Sequence, residues 1–172
     1  YGSEALAGVI NIITDKSYDK KLNISARYGT YNSLDANINA AGRIGKAGIN
    51  VFFNQYNLDG YSISPYSVER SKLPVSRSTP QLQFNYPFSN KTSINLSLRY
   101  NYEHIKNELA VSNNGQITLS KGREINKDLN ITPTVTHIFS DKLKTSIRLY
   151  ANRFEGSQKL ETSVGQNYDD YF

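Results

Sequence analysis

The 172-residue sequence contains no cysteine, no methionine and no tryptophan. The lack of cysteine excludes disulfide bonds, thiolate metal sites and cysteine nucleophiles, and it is compatible with a periplasmic or surface location. The two histidines, His104 and His137, form no H-x-x-x-H pattern, and there is no glycine-rich phosphate loop. The carboxylates also lack the paired spacing of acid–base catalysts. We therefore predict that the chain is not an enzyme, with no catalytic residues, no metal site and no cofactor.

Long hydrophobic runs are also missing. No apolar stretch approaches the ~20 residues of a transmembrane helix, and no signal peptide is present, as expected if the chain starts inside a longer protein. Hydrophobic residues make up 38% of the sequence, below the usual share of a globular domain. Disorder would explain this deficit, and so would a sheet in which every second side chain faces water. The regular alternation described below favours the sheet.

The positive charge of the chain does not indicate a nucleic-acid partner. The formal net charge is +5 and the pI is about 9.3. Lysine and arginine occur singly along the chain, without a basic block, a basic helix or a nucleic-acid-binding motif. We therefore predict a solvated surface and no nucleic-acid binding.

Apolar and polar residues alternate with the two-residue period of a β-strand in most of the chain. The pattern predicts seven strands, at residues 22–28, 34–40, 49–58, 81–88, 93–102, 129–136 and 143–154. Pairing Tyr28 with Leu34 in the first hairpin places its apolar residues on one face, and the same register sets Arg27 opposite Asp35. The faces of the third strand stay unassigned, because Val51, Phe52 and Phe53 follow one another.

The predicted connections differ in length. Residues 59–79 read as a long polar loop in which Pro65, Pro74 and Pro80 block regular pairing. Residues 106–127 read as a second long loop, with a small hairpin near 113–115. Short turns are predicted at 29–32, 44–48, 88–91 and 139–142. Short turns at one end and long loops at the other are typical of outer-membrane barrels, although the 29–32 turn is short at the long-loop end.

The first sixteen residues, YGSEALAGVINIITDK, differ from the rest of the chain. The nearly continuous apolar run at 9–14 suits a strand that is buried on both faces. This stretch resembles the end of the plug domain of TonB-dependent outer-membrane receptors. The residues that carry the resemblance are Tyr1, Gly2, Ser3, Ala5, Gly8, Val9, Ile10, Asn11, Ile12 and Thr14. The sequence departs from the family at Ala7, where a first glycine is common.

The resemblance implies a fold and a function. Residues 1–16 would end a plug domain, and residues 17–172 would begin an all-β, antiparallel transmembrane barrel, present here as an open fragment of about seven strands. Such receptors reside in the outer membrane of Gram-negative bacteria, where barrels of ~22 strands enclose a plugged lumen. They import scarce nutrients such as ferric siderophores, haem or cobalamin. The implied partners are outer-membrane lipid, a metal chelate or similar small molecule, and the TonB complex, which contacts a segment outside this chain.

Candidate substrate contacts follow from the same resemblance. Tyr61, Tyr66, Arg70 and Arg77 fall in the first predicted loop, where aromatic rings and guanidinium groups could hold an anionic metal chelate. His104, at the outer end of the fifth strand, is a further candidate ligand of haem or metal, or simply an interfacial residue. Tyr86, Tyr100 and Tyr102 share the apolar parity and suit an aromatic girdle at a lipid interface.

Two other classes of protein fit parts of the sequence. An outer-membrane barrel adhesin or enzyme would share the alternation but not the plug-like opening. A soluble β-sandwich binding module would divide the faces of two sheets between core and solvent. In either a receptor or another barrel, we expect the isolated 172-residue chain to form no pore, because seven strands cannot enclose one.

Overall fold

Alternating side chains produce strands along most of the described chain, and all of these strands belong to one antiparallel sheet. The computed structural model describes residues 19–64, 70–113, 116–161 and 167–171. The strands are β1 (Lys21–Gly29), β2 (Ser33–Ile44), β3 (Ala47–Leu58), β4 (Val75–Pro87), β5 (Thr92–Asn113), β6 (Gln116–Ser140), β7 (Leu143–Arg148), β8 (Ala151–Glu161) and β9 (Asn167–Tyr171). Their order is β1-β2-β3-β4-β5-β6-β8-β9, with β7 also paired to β6. The sheet is open, with β1 and β9 at its edges.

The first hairpin has the predicted register. Tyr28 lies opposite Leu34 and Arg27 lies opposite Asp35. Arg27 Nη2 donates a hydrogen bond to Asp35 Oδ2 at 3.0 Å. The turn between the strands places Tyr31 and Asn32 at positive φ, 59° and 53°, a conformation that asparagine tolerates better than most residues. The predicted fold class is therefore confirmed as all-β and antiparallel.

The structure assigns the faces of β3, which the sequence pattern leaves open. Val51 pairs with Ala40 and Phe53 pairs with Ile38, so both lie on the apolar face of the sheet. Phe52 pairs with Asn39 and lies on the opposite, polar face. The pattern is blurred because Phe52 lies on the mainly polar face, between Val51 and Phe53 on the apolar face.

Two prolines lie inside strands, and each interrupts the ladder on one side only. Pro80 pairs with Phe53 of β3, but the register between β4 and β5 skips from Ser78 to Gln81. Pro133 pairs with Leu96 of β5, whereas the pairing of β6 with its other neighbour stops between β7 and β8. Proline has no N–H to donate, so one ladder is lost and the other is kept. The prediction that Pro80 ends regular pairing is wrong.

Both predicted long loops differ from what the structure shows. The first spans residues 59–74, because β4 begins at Val75 and includes Arg77 and Pro80. The second is absent as a loop, because β5 and β6 continue as a paired hairpin as far as Asn113 and Gln116. The predicted turn near 113–115 is confirmed in position by that pair, while 114–115 lie outside the described residues. Backbone pairing therefore continues through a stretch whose side chains do not alternate.

The structure describes nine strands instead of the predicted seven. The predicted strand at 143–154 corresponds to β7 and the first part of β8. Both pair with β6 in the same register, and they are separated where β6 has Pro133. β9 pairs with β8 and was not predicted. The predicted plug strand and the 1–16 domain lie outside the described residues.

The described part of the chain has almost no interior. Its buried hydrophobic side chains are Leu58 and Val75, whereas Leu22, Ile24 and Ile147 are 64%, 69% and 64% exposed. The described strands form a single layer, so the two packed sheets of the sandwich alternative are not seen among them. Within the described ranges there is also no helix long and apolar enough to cross a membrane.

Candidate functional site

The polar face of the sheet is built mainly from side-chain amides. The register places on it Asn37, Asn39, Asn50, Asn54, Gln81, Gln83, Asn85, Asn95, Asn101, Asn126, Asn130 and Asn152. Two pairs of these amides bond to each other across strands. Asn85 Nδ2 donates to Asn95 Oδ1 at 2.8 Å, and Asn152 Nδ2 donates to Asn130 Oδ1 at 2.9 Å. The face thus presents paired donors and acceptors to polar material above it.

Charged groups join this amide network at two points. Asp35 accepts from Arg27 and from Asn54 Nδ2, the latter at 2.8 Å. Asp128 Oδ1 accepts from Asn130 Nδ2 at 3.0 Å and from Asn152 Nδ2 at 2.6 Å. Among the described side chains, the Oδ1 atoms of Asn39 and Asn50 are buried and have no partner. Both residues have the parity of the polar face.

Arg77 lies on the polar face, at the end that carries the first long loop. The register pairs it with Tyr56 of β3 and Glu103 of β5. Arg77 Nε donates to Glu103 Oε2 at 2.7 Å, and its Nη2 reaches the same oxygen. Because Arg77 belongs to β4, its placement in the loop was wrong.

A cavity of about 630 Å³ lies over this ion pair. Tyr56, Arg77 and Glu103 of the sheet line it, together with Lys72 of the loop. The volume falls within the range of small-molecule sites. The two cationic side chains and the tyrosine ring suit an anionic ligand with a flat or aromatic part.

The loop at 59–74 is held by its own contacts and by the β1–β2 turn. Tyr61 forms an antiparallel bridge with Lys72, with both backbone hydrogen bonds at 3.0 Å. The Tyr61 ring stacks on Tyr31 with centroids 5.0 Å apart. Gly60 has a φ of 78°, which favours glycine, and its position leaves no room for a side chain against the Lys72 carbonyl. Tyr61 therefore anchors the loop, and it does not line the cavity.

Arg70 and Tyr66 do not join the Arg77 site either. Arg70 Nε lies 3.1 Å from Glu108 Oε2, and its Nη1 donates to the Asp59 carbonyl. Glu108 has the parity of the apolar face, so Arg70 lies towards the other side of the sheet. Tyr66 lies outside the described residues, as do all residues of the motif at 1–14.

His104 also lies on the opposite side of the sheet from Arg77. It pairs with Ser76 and Ile125, which have the parity of the apolar face. Asn57, Asp59 and Lys106 share with it the lining of a cavity of about 210 Å³. No group of three or more His, Cys, Asp or Glu side chains suited to a metal occurs in the part of the chain that the structure describes.

The apolar face carries the predicted tyrosines. Tyr86 pairs with Ile94, Tyr100 with Leu129, and Tyr102 with Lys127. Tyr86 also packs edge to face on Phe88, with ring centroids 5.0 Å apart. At the short-turn end, His137 Nδ1 lies 2.8 Å from Thr92 Oγ1, and the His137 ring meets Phe139 edge to face.

Sequence reasoning missed three of the four residues named at the Arg77 cavity, namely Tyr56, Lys72 and Glu103. The alternation through β5 contained a signal for Glu103, because continuing the odd-numbered polar positions from Ser93 reaches Glu103. Lys72 had no such signal, because the alternation of a strand does not continue into a loop.

None of the available protein-family models matches the chain, and neither a curated protein nor a solved structure gives a significant match.

Proposed function

We propose that this chain is the end of the plug and the first part of the barrel of a TonB-dependent outer-membrane receptor. The observation that carries this proposal is a single sheet with one exposed apolar face and one amide-rich face. A water-soluble sheet buries its apolar face against another layer. A barrel in a membrane instead turns that face to lipid and its polar face to the lumen.

The dimensions of the apolar face support the membrane assignment. On this face, the cross-strand pairs of β5 and β6 extend from Thr92 and His137 at one end to Tyr102 and Lys127 at the other. Ten residues extend about 34 Å along a strand, and a tilt of about 40° reduces this to about 26 Å along the membrane normal, close to the ~25 Å apolar band of such barrels. Tyr100 and Tyr102 lie at one end of the band and His137 lies at the other.

The resemblance of residues 1–16 to a plug supports a receptor over an adhesin or a barrel enzyme. The proposed activity is energised uptake of a scarce nutrient of the ferric siderophore, haem or cobalamin class. The cavity over Arg77 and Glu103 supports an anionic chelate, because Lys72 and Arg77 line it and Tyr56 offers a ring. The polar face would form part of the lumen wall.

Complementation in a Gram-negative host tests this function. The intact protein would be expressed in strains with and without TonB, each lacking its own receptors for the three nutrient classes. We expect the protein in the outer-membrane fraction and TonB-dependent accumulation of one labelled substrate. An outer-membrane location without TonB-dependent uptake of any of the three classes would favour the adhesin or enzyme alternative. Recovery as a detergent-free soluble monomer would contradict the membrane assignment itself.

A further inference from the structure

Glu103 is the one carboxylate among the described residues that line the cavity over Arg77. Both donors that Arg77 directs at it, Nε and Nη2, meet the same oxygen, Oε2. Among the described contacts, Oε1 of Glu103 and Nη1 of Arg77 have no partner. The Glu103 side chain is 15% exposed, and that of Arg77 is 46% exposed. One acceptor and one donor of this ion pair thus stay available to a ligand.

The cavity carries little net positive charge. Its lining cations are Lys72 and Arg77, and Glu103 neutralises Arg77. The other carboxylates at this end of the polar face, among the described side chains, are those of Asp35, Glu124 and Asp128. The first pairs with Arg27, and the other two accept hydrogen bonds from asparagine amides. Lys72 is therefore the one lining cation that has no ion pair among the described contacts.

Apolar side chains strengthen the electrostatic effects in this cavity. Leu73, Val75 and Ile105 line it beside the charged groups, and Val75 is buried. Charges attract and repel each other more strongly where apolar groups displace water. A ligand with several negative charges would be attracted by Lys72 but would also lie against the Glu103 carboxylate. Like charges placed together in this way reject such a ligand.

A ligand with neighbouring anionic and cationic groups fits these charges better. Its carboxylate can accept hydrogen bonds from Lys72 Nζ and Arg77 Nη1. An ammonium group beside that carboxylate can donate to Glu103 Oε1. Hydrogen bonds between charged groups are stronger than those between neutral groups. Because Oε2 of Glu103 still holds Nε and Nη2 of Arg77, the ligand completes the ion pair without displacing either partner.

We propose that Glu103 makes this cavity selective for a chelate that carries an ammonium group beside its carboxylate. Lys72 and Arg77 bind the carboxylate, and Glu103 accepts a hydrogen bond from the ammonium group. This selectivity rests on the proposed function, because it specifies the substrate class of the same site. Glu103 thereby discriminates against chelates whose charged groups are all negative.

Two matched ferric chelates test this selectivity in the intact protein, purified in neutral detergent. Both have the same trihydroxamate core, whose ferric complex is neutral, and both carry one carboxylate on that core. The first also carries an ammonium group next to the carboxylate, whereas the second has hydrogen at that position. Equilibrium dialysis with labelled iron gives the dissociation constant of each chelate.

The test variant is Glu103→Gln, which keeps the size of the side chain and an acceptor for Arg77. The matched control is Glu124→Gln, which removes the same charge from the same end of the polar face. Glu124 lies opposite Ile105 and is not among the residues that line the cavity. The heat-modifiable electrophoretic shift shows whether each variant is folded.

We expect the wild-type protein to bind the ammonium-bearing chelate about tenfold more tightly than its counterpart. Glu124→Gln should keep this preference. Glu103→Gln should lose it and should bind the counterpart more tightly than the wild-type protein does, because a negative charge near the carboxylate of the ligand is removed.

The absence of a preference in the wild-type protein would overturn the role of Glu103, whatever the variants do. Equal weakening of both chelates in folded Glu103→Gln would also overturn it, because Glu103 would then only hold Arg77 in place. Binding of neither chelate by a protein that takes up one of the three nutrient classes would overturn this selectivity alone. Binding of neither, together with no TonB-dependent uptake, would instead contradict the proposed function.

Discussion

Arg27 and Asp35 face each other across the β1–β2 hairpin, with Nη2 3.0 Å from Oδ2, and Asn54 of β3 binds the other oxygen of the same carboxylate at 2.8 Å. The Arg27 side chain is 85% exposed, whereas that of Asp35 is 30% exposed. The carboxylate therefore links three strands, while the guanidinium contributes a surface ion pair. The two partners should differ in how much their loss destabilises the sheet.

We predict that Arg27→Ala lowers the free energy of unfolding by less than about 1 kcal/mol, since exposed ion pairs contribute little. Asp35→Ala should lower it by about 1–3 kcal/mol, because Asn54 also loses an acceptor. Denaturant unfolding of the intact protein in neutral detergent measures both. Equal losses, or a larger loss for Arg27→Ala, would contradict this asymmetry.

The Arg27–Asp35 register shows how much of the fold the sequence can predict. A period of two fixes which residues share a face, and one turn then fixes the register, so the hairpin and the tyrosine-bearing face were predictable. The alternation of polar and apolar residues could not predict the strands where it was interrupted. Phe52 broke the alternation in β3. Beyond Lys106 the continuation of β5 was concealed because two polar residues, Asn107 and Glu108, and then three apolar ones, at 109–111, follow one another without alternating. The Arg77 cavity could not be predicted, because it depends on how the 59–74 loop returns over the sheet.

Adjacent residues on opposite faces of β5 test the membrane orientation. Leu98 pairs with Leu82 and Ile131 on the apolar face, whereas Ser97 is exposed on the polar face. In a barrel, Leu98→Arg should destabilise insertion by about 2–4 kcal/mol, the cost of arginine facing lipid near the midplane. Ser97→Arg should insert normally. The heat-modifiable electrophoretic shift of the outer-membrane fraction compares them, and equal insertion would count against a lipid-facing Leu98.

Gly122 and Gly42 differ in the space around them. A Cβ at Gly122 would clash with the backbone oxygen of Lys159, whereas a Cβ at Gly42 meets nothing within 4 Å. Gly122→Ala should therefore destabilise the protein by about 1–3 kcal/mol, as overpacking does. Gly42→Ala should be neutral or slightly stabilising, because it lowers the entropy of the unfolded chain. Thermal unfolding distinguishes the two, and a tolerated Gly122→Ala would show that β6 and β8 can separate there.

Arg77 should matter for ligand binding more than another arginine on the same face. Arg77→Gln removes a cation from the cavity lining, and we expect about tenfold weaker binding of an anionic chelate, which corresponds to about 1.4 kcal/mol. Arg99 lies on the same face opposite Gln81 and Asn130, and it is not among the residues that line this cavity. Arg99→Gln should leave the affinity unchanged. Titration with the substrate that complementation identifies gives both values, and equal effects would remove Arg77 from the site.

Pro133 accepts a hydrogen bond from the Leu149 amide at 3.0 Å but has no N–H with which to return one. In Pro133→Ala, the new amide faces the Leu149 carbonyl, so we expect it to exchange slowly with solvent and to join β7 and β8 into one ladder. The stability should change by less than about 1 kcal/mol, because the hydrogen bond gained is offset by the greater freedom of the unfolded chain. Hydrogen–deuterium exchange measures the new amide.

Pro87→Ala is the matched control for this exchange experiment. The pairing of β3 with β4 ends at Gly48 and Asn85, so Pro87 lies beyond it on that side. Successive backbone amides along a strand point alternately to its two neighbouring strands. The amide position of residue 80 points to β5, so that of residue 87, an odd number of residues further on, points to the unpaired side. It should therefore exchange quickly. Fast exchange at 133, or equal protection at 87 and 133, would show that the missing donor is not what divides β7 from β8.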